Sequence, residues 1–153
     1  MRKHITCMLC GLLGAAPAAA NQAAGPSIDD IHWHFVDSYC TFTREALDFV
    51  YDDPETWRFV LITNFPDGPG ADPFEFAFLR IDGMLRELRK TRRTKDGEAD
   101  IVVMATTDSP PLVAELRLKE TGRGEEATAY SGVLKVSRAD RQSSTPVKGD
   151  CGV

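Results

Sequence analysis

Six basic side chains within ten positions are the strongest chemical signal in this sequence. They are Arg86, Arg89, Lys90, Arg92, Arg93 and Lys95, in a chain with 18 Lys and Arg against 23 Asp and Glu. Because guanidinium groups bind phosphates through paired hydrogen bonds, we interpret the first five of these residues as candidate ligands for an anionic head group. The alternative is a solvated strand whose charges protect the edge of a sheet.

Three phenylalanines precede the basic run at alternating positions, Phe74, Phe76 and Phe78. Residues two apart in a strand point to the same face of its sheet, so these rings are expected to share one face. If the sheet forms a wide barrel, that face lines an apolar cavity with the basic run near its mouth. The alternative is that the rings pack in an ordinary hydrophobic core.

The other residue types that could do chemistry lack a catalytic or metal-binding pattern. His32 and His34 flank Trp33, but on a helix their rings point about 200° apart and cannot share an ion. Ser131 has no Gly-x-Ser-x-Gly motif around it. We therefore expect no catalytic residue, no metal site and no cofactor, and we predict that the protein is not an enzyme.

The first twenty residues have the features of an export signal peptide. Residues 2–4 are basic, residues 5–16 are almost all apolar, and residues 18–20 are three alanines that suit a cleavage site. The apolar run is too short to be a good membrane span. We expect the mature protein to be periplasmic, most simply in a bacterial envelope, or secreted, with no transmembrane segment after cleavage.

Removal of the signal would leave two cysteines in the mature chain. Cys7 and Cys10 would leave with it, and Cys40 and Cys151 would remain. Two cysteines in an oxidising compartment are expected to pair, and a loop of this length contributes up to about 4.7 kcal/mol in the chain-entropy model. Free thiols and metal ligands are the alternatives. The sequence therefore predicts a Cys40–Cys151 disulfide.

The mature chain is the size of one acidic domain. It would have 133 residues, and its formal net charge would fall from −5 to −7 because Arg2 and Lys3 are removed. This balance argues against general nucleic-acid binding. We divide the chain into a signal peptide (residues 1–20), a disordered leader (21–26) and a single globular domain (27–153).

The domain is predicted to begin with one amphipathic helix. Ser27 is a suitable N-cap, and Ile28, Ile31, Phe35 and Tyr39 recur at the spacing of one helical face. We therefore predict a helix over residues 28–39. Residues 41–51 either continue this helix or form the first strand.

Alternating apolar residues and regular turns predict an antiparallel β-meander from Trp57 onward. The dipeptides Asp82-Gly83 and Asp96-Gly97 favour tight hairpins, so we prefer a strand to a helix for residues 84–94. The other strands are expected at residues 57–64, 74–81, 98–107, 112–120, 125–137 and 142–149. The fold class is mainly β, α+β at the margin, and the meander forms a small barrel or a sandwich.

Two functions are consistent with these features. The first is non-enzymatic binding of an amphiphilic or anionic envelope ligand, such as a lipid or an anionic small molecule, by the phenylalanine and arginine faces. The second is a protein-interaction module, such as a periplasmic inhibitor or assembly factor, that engages an envelope protein through exposed loops. Residues 65–73, with three Pro and two Gly, are the foremost candidate loop.

Overall fold

The computed structural model describes residues 24–65, 68 and 70–152. The predicted signal peptide lies outside the described residues. No helix within these ranges is long and apolar enough to cross a membrane. The strands are β1 (Ile28–Asp29), β2 (Ile31–His32), β3 (Cys40–Arg44), β4 (Arg58–Phe59), β5 (Leu61–Thr63), β6 (Phe76–Ile81), β7 (Met84–Asp96), β8 (Ala99–Ala105), β9 (Leu112–Arg123), β10 (Ala127–Arg138) and β11 (Arg141–Gly152).

Eight of these strands form a closed antiparallel barrel. Their order around the barrel is β6, β5, β3, β11, β10, β9, β8 and β7, and β7 pairs back with β6 to close it. The short β1 continues the ladder on the β5 side of β6, while β2 and β4 form a separate two-stranded ladder. Of the barrel and sandwich predicted from the sequence, the structure therefore forms the barrel.

Two-residue turns connect the hairpins that the sequence predicts. Asp82 and Gly83 both have positive φ, 51° and 77°, which is the conformation that a type I′ turn requires. Residues 84–94 accordingly lie within strand β7 and not in a helix. The structure also decides between helix and strand for residues 41–51. Strand β3 covers their first part, and a loop without helix follows.

The barrel interior is filled by apolar side chains. Along β9, Leu112, Ala114, Leu116 and Leu118 are buried and alternate with more exposed residues. Other fully buried large side chains include Phe42, Leu61, Phe74, Leu79, Leu88, Met104 and Leu134. Dense side-chain packing of this kind is expected inside a small eight-stranded barrel.

A second apolar cluster lies on the outer wall of the barrel. The strand is interrupted at Val60, between β4 and β5. Leu61 therefore packs in the interior, whereas Trp57 and Phe59 belong to the outer cluster. The outer cluster also contains Ile31 and Ile62, with Val36 and Phe78 packed against it. Residues 57–63 are therefore buried on both faces.

The amphipathic helix predicted over residues 28–39 is wrong. These residues form β1, β2 and an irregular segment, with Phe35 at a positive φ of 55°. Each short strand pairs with a distant one, β1 with β6 and β2 with β4. These long-range pairings override a local helix preference that is worth only tenths of a kcal/mol per residue.

The segment before β1 is already part of the fold. Within the predicted leader, Pro26 is buried, and a Cβ at Gly25 would approach the Gln142 carbonyl oxygen to 2.0 Å. Farther along, Ser27 N donates to Asp82 Oδ1 at 2.8 Å. Residues 25–30, which we call the N-terminal strap, thus lie across one end of the barrel.

The predicted disulfide is confirmed. Cys40 and Cys151 face each other on the neighbouring strands β3 and β11, and their sulfurs are 2.05 Å apart. We call this end of the barrel the disulfide end. The opposite end carries the strap, the turn at Asp82–Gly83 and the loop of residues 106–111, and we call it the distal end.

Candidate functional site

Strand β7 distributes the predicted anion-binding residues among three places. Lys90 and Arg93 join an ion-pair cluster toward the disulfide end, because a register irregularity between Lys90 and Arg92 shifts the alternation of the strand. Arg86 lies at the distal end, opposite the inward-facing Leu79. Arg89 and Arg92 are exposed on the outer wall. The basic run is therefore not one site.

The cluster toward the disulfide end is built on three carboxylates. Arg93 Nε donates to both oxygens of Asp100, at 3.1 and 3.0 Å, and Arg93 Nη1 donates to Asp72 Oδ1 at 2.8 Å. Lys90 Nζ lies 2.9 Å from Asp72 Oδ2 and 2.8 Å from Glu75 Oε2. Each of these two cations thus contacts two carboxylates.

Proton affinities in this cluster reflect the close pairing. Partial burial alone would raise the pKa of Asp72, but hydrogen bonds from Phe74 N–H and Lys90, with the nearby positive charges, lower it below the ordinary value. Hydrogen bonds to Glu75 and Asp72 raise the pKa of Lys90. Both groups are therefore held in their charged forms, and an anionic ligand here would have to displace a resident carboxylate.

The distal end has fewer carboxylates for its basic side chains. Arg86 Nη1 and Arg138 Nη2 lie 3.8 and 3.5 Å from the same oxygen of Asp108, Oδ2. Arg138 stands opposite the buried Leu112, so it projects from the inward face of β10. Two guanidinium groups here share one carboxylate at long distances.

The three candidate phenylalanines do not share a face. Phe74 precedes β6 and is buried in the barrel interior beside Phe42, with ring centroids 6.3 Å apart. Phe76 and Phe78 point outward, because Ala77 and Leu79 occupy the inward positions of β6. Phe76 stacks under the Arg89 guanidinium, and Phe78 packs on the outer cluster. Phe76 and Phe78 therefore do not line the interior.

An exposed aromatic surface, which sequence reasoning missed, covers Trp57. The rings of Phe35, Phe49 and Tyr51 have centroids 5.0, 5.4 and 5.4 Å from that of Trp57. Trp57 is 5% exposed, whereas the other three are 62%, 41% and 66% exposed. We call these four residues the aromatic patch. Three large rings are thus held in solvent around one buried ring.

Local hydrogen bonds fix the aromatic patch in place. Trp57 Nε1 donates to the Tyr51 carbonyl at 3.1 Å, and Thr56 Oγ1 accepts from Val50 N at 3.0 Å. Phe35 adopts left-handed backbone geometry, which is rare for a bulky residue and costs about 1 kcal/mol or more. Backbone strain of this kind concentrates at functional sites. The strained backbone of an exposed phenylalanine therefore makes the patch a candidate functional site.

The chain segment that carries the aromatic patch is rich in acidic residues. Residues 24–65 contain eight acidic and two basic side chains, and both arginines are engaged locally, Arg44 by Asp30 and Arg58 by the Glu55 carbonyl. The exposed acids are Asp37, Glu45, Asp48, Asp52, Asp53 and Glu55. None of the ion pairs between described residues involves these six. The segment of the chain that supplies the patch therefore carries an excess of negative charge.

A groove extends the apolar surface beyond the patch. It has a volume of about 250 Å³ and is lined by Trp33, Val36, Phe78 and Leu85, among others. Trp33 and Leu85 are about half exposed. Phe78, one of the predicted ligand-binding residues, thus forms part of an outer apolar surface.

The loop that the sequence singled out for partner binding borders a separate groove. Within residues 65–73, positions 66, 67 and 69 lie outside the described residues. Phe65 is 42% exposed and, with Phe76 and Lys90, helps to line a groove of about 330 Å³. Apolar and charged groups meet here at the disulfide end.

The described part of the chain has no group of three or more His, Cys, Asp or Glu side chains placed to hold a metal ion. His32 lies in β2 and His34 in the following turn, and both are exposed. These residues are not helical, so the argument that a helix would point the two rings apart does not apply. Within the described residues, however, no third ligand joins the two histidines.

The sequence patterns did not predict that Asp72, Asp100 and Arg138 take part in the two ion-pair clusters. Asp72 lies in a Pro- and Gly-rich loop, Asp100 is the second residue of β8, and Arg138 is the last residue of β10. Strand alternation offers a partial signal, because Asp100 continues the series of Val102 and Met104, both buried. No local pattern predicts the pairing of Arg138 with Arg86, which lies 52 positions earlier.

No protein-family model matches the sequence, and no curated protein or solved structure is detectably similar to it.

Proposed function

We propose that this protein is a non-enzymatic interaction module that binds a basic segment of another protein through the aromatic patch. The supporting observation is the set of three exposed rings held over the buried Trp57. Exposed aromatic clusters are costly in water and typical of interaction hot spots. The proposed compartment is the periplasm or the exterior of the cell, where disulfides persist.

The chemistry of the partner follows from the charge around the patch. Six exposed carboxylates without ion pairs among the described residues belong to the same chain segment as the rings. Cations are attracted both to carboxylates and to the faces of aromatic rings. A segment carrying Lys or Arg between apolar residues satisfies both features, whereas an acidic segment would be repelled.

A ligand carried inside the barrel has less support. The interior positions are occupied by large side chains such as Phe42, Leu79, Met104 and Leu116, all fully buried. Phe76 and Phe78 lie on the outer wall. Binding of an anionic ligand is a second proposal, and it concerns the distal end.

Tryptophan fluorescence provides a direct test, because the only two tryptophans of the chain, Trp33 and Trp57, lie at this surface. The oxidised protein would be titrated with a synthetic peptide that alternates Lys or Arg with apolar residues, and with a matched peptide in which Glu replaces each basic residue. We expect the basic peptide to change the fluorescence and to bind more weakly as salt is raised.

Two variants test whether peptide binding depends on the aromatic patch or on nonspecific contact with any exposed apolar side chain. The double substitution Phe35→Ser and Tyr51→Ser removes two exposed rings and is expected to weaken peptide binding about 10-fold or more. Val133→Ser, which removes an exposed apolar side chain from β10, is the matched control and should leave binding unchanged. Equal binding of the acidic peptide, no binding of the basic one, or an unaffected double variant would contradict the proposal.

A further inference from the structure

The distal end contains buried polar atoms without partners. Among the described residues, the buried side-chain nitrogen and oxygen atoms that lack any hydrogen bond are Arg86 Nε and Arg138 Nε. Both belong to the pair of arginines that share Asp108. A buried donor without an acceptor costs about 1–3 kcal/mol, so two in one cluster require an explanation.

The single acceptor between the arginines does not satisfy them. Asp108 offers one oxygen to both groups, at 3.8 and 3.5 Å, which are long for charge-assisted hydrogen bonds. The cluster carries one excess positive charge. Its side chains are also accessible, since Arg86, Arg138 and Asp108 are 26%, 25% and 43% exposed.

Asp108 lies in an exposed loop outside the strands of the barrel. The neck of the loop is closed by two hydrogen bonds, from Thr106 N to the Leu112 carbonyl at 3.0 Å and from Leu112 N to Thr106 Oγ1 at 2.9 Å. Residues 107–111 are all exposed. The loop tip is therefore held mainly by the two long ion pairs of Asp108.

We propose that Arg86 and Arg138 form a binding site for a phosphate group, and that Asp108 occupies this site when no ligand is bound. A tetrahedral oxyanion has enough oxygens to accept from both guanidinium groups at once, including the Nε donors that Asp108 leaves unpaired. The incoming phosphate displaces the Asp108 carboxylate, and the loop tip moves outward. The phosphate comes either free or as the head group of a lipid.

Competition by Asp108 gives a test in which the two classes of variant act in opposite directions. Binding of inorganic phosphate to the oxidised full-length mature protein would be measured by calorimetry and by the rise in melting temperature. Arg86→Gln or Arg138→Gln should weaken binding about 10- to 100-fold, because each removes charged hydrogen bonds. Asp108→Asn should instead tighten it, because the internal competitor loses its charge.

Matched controls lie on the same strand. Arg89→Gln and Arg92→Gln remove arginines from the outer wall of β7 and should leave phosphate affinity unchanged. Because Asp108→Asn is expected to increase affinity, a loss of binding through misfolding cannot imitate its result.

A second experiment distinguishes free phosphate from lipid. Vesicles of phosphatidylglycerol in phosphatidylcholine would be compared with phosphatidylcholine alone by co-sedimentation. Sedimentation that depends on both Arg86 and Arg138 assigns the site to a lipid head group, whereas phosphate binding without sedimentation assigns it to a soluble phosphate compound. Absence of both, or binding that survives the arginine substitutions, overturns the proposal.

Discussion

The two ends of the barrel receive basic side chains from the same strand, but they neutralise them differently. At the disulfide end, Lys90 and Arg93 share three carboxylates at distances of about 3 Å. At the distal end, Arg86 shares one half-exposed carboxylate with Arg138, at 3.5 to 3.8 Å. The first cluster is saturated and the second is not.

This difference shows that a run of like charges need not form one surface. A strand of 13 residues spans about 40 Å, so β7 reaches from one end of the barrel to the other. The role of each arginine then depends on the acids that other strands bring to it. We interpret the ion pairs of the disulfide end as structural. A ligand would gain more binding energy at the distal end, where the arginines have fewer hydrogen-bond partners.

The largest expected effect comes from removing the buried acid of the saturated end. Asp100→Ala leaves Arg93 without its bidentate partner in a site where Asp100 is only 7% exposed. Loss of one partner of a fully buried pair costs about 3–5 kcal/mol. Because Arg93 is 34% exposed and keeps its contact with Asp72, we expect a decrease near the lower limit, about 3 kcal/mol. Urea unfolding should show this decrease in the free energy of unfolding.

The matching change at the distal end should be mild. Asp108→Ala removes a 43% exposed carboxylate with long contacts, so we expect a decrease of less than about 1 kcal/mol. Equal losses for the two aspartates would remove the contrast between the ends.

Loss of the disulfide should have an effect comparable in size to that of Asp100→Ala. The bond closes a separation of 111 residues, and replacing both cysteines by serine is expected to lower the free energy of unfolding by about 2–4 kcal/mol. Hydrogen exchange should accelerate first in β3 and at the end of β11. Faster exchange confined to the turn at Asp82–Gly83 would contradict this assignment.

Acid should weaken the disulfide end through Asp72. Because the pKa of Asp72 is lowered in the folded protein, the unfolded chain takes up the proton first. The stabilisation is therefore complete above about pH 4, the ordinary pKa, and is lost as pH falls through the lower folded-state value. Asp72→Asn should reduce stability at neutral pH and flatten the decline of melting temperature below pH 4. A decline as steep as in the wild type would show that other acids dominate.

The smallest effect is expected on the outer wall between the two ends. Arg89 is exposed, its guanidinium lies 4.8 Å from the centroid of the Phe76 ring, and its ion pair is with the exposed Glu87. Arg89→Ala should change the free energy of unfolding by no more than about 0.5 kcal/mol. A larger loss in urea unfolding would mean that this arginine is as structural as Arg93.

Local sequence signals predicted the hairpin half of the fold well. Asp82-Gly83 and Asp96-Gly97 marked the ends of β7, and the alternation of Leu112 to Leu118 identified the inward face of β9. These signals are local because the turn and strand conformations depend on neighbouring residues. The cysteine count also sufficed to predict the Cys40–Cys151 bond.

Residues 28–39 were harder to predict because their pairing partners lie far along the chain. Ile28 pairs with Ile81 and Ile31 with Phe59, so spacing that resembled a helical face is satisfied by separate contacts on the barrel. Only Arg86 of the distal pair was among the candidate ligands, since nothing local connects it to Arg138. The prediction that Phe74, Phe76 and Phe78 share one face was wrong, because Phe74 lies before β6 and does not follow the alternation of that strand.

The pairing of β3 with β11 determines when the barrel can close during folding. β3 is an early strand in chain order, but its neighbour on that side is β11, Arg141–Gly152. Until β11 docks, the other strands form only an open sheet with two unpaired edges, which invites pairing between partly folded chains. Because this closure joins strands that lie far apart in sequence, the barrel is expected to fold slowly, and deletion of β11 should yield aggregates instead of a smaller barrel.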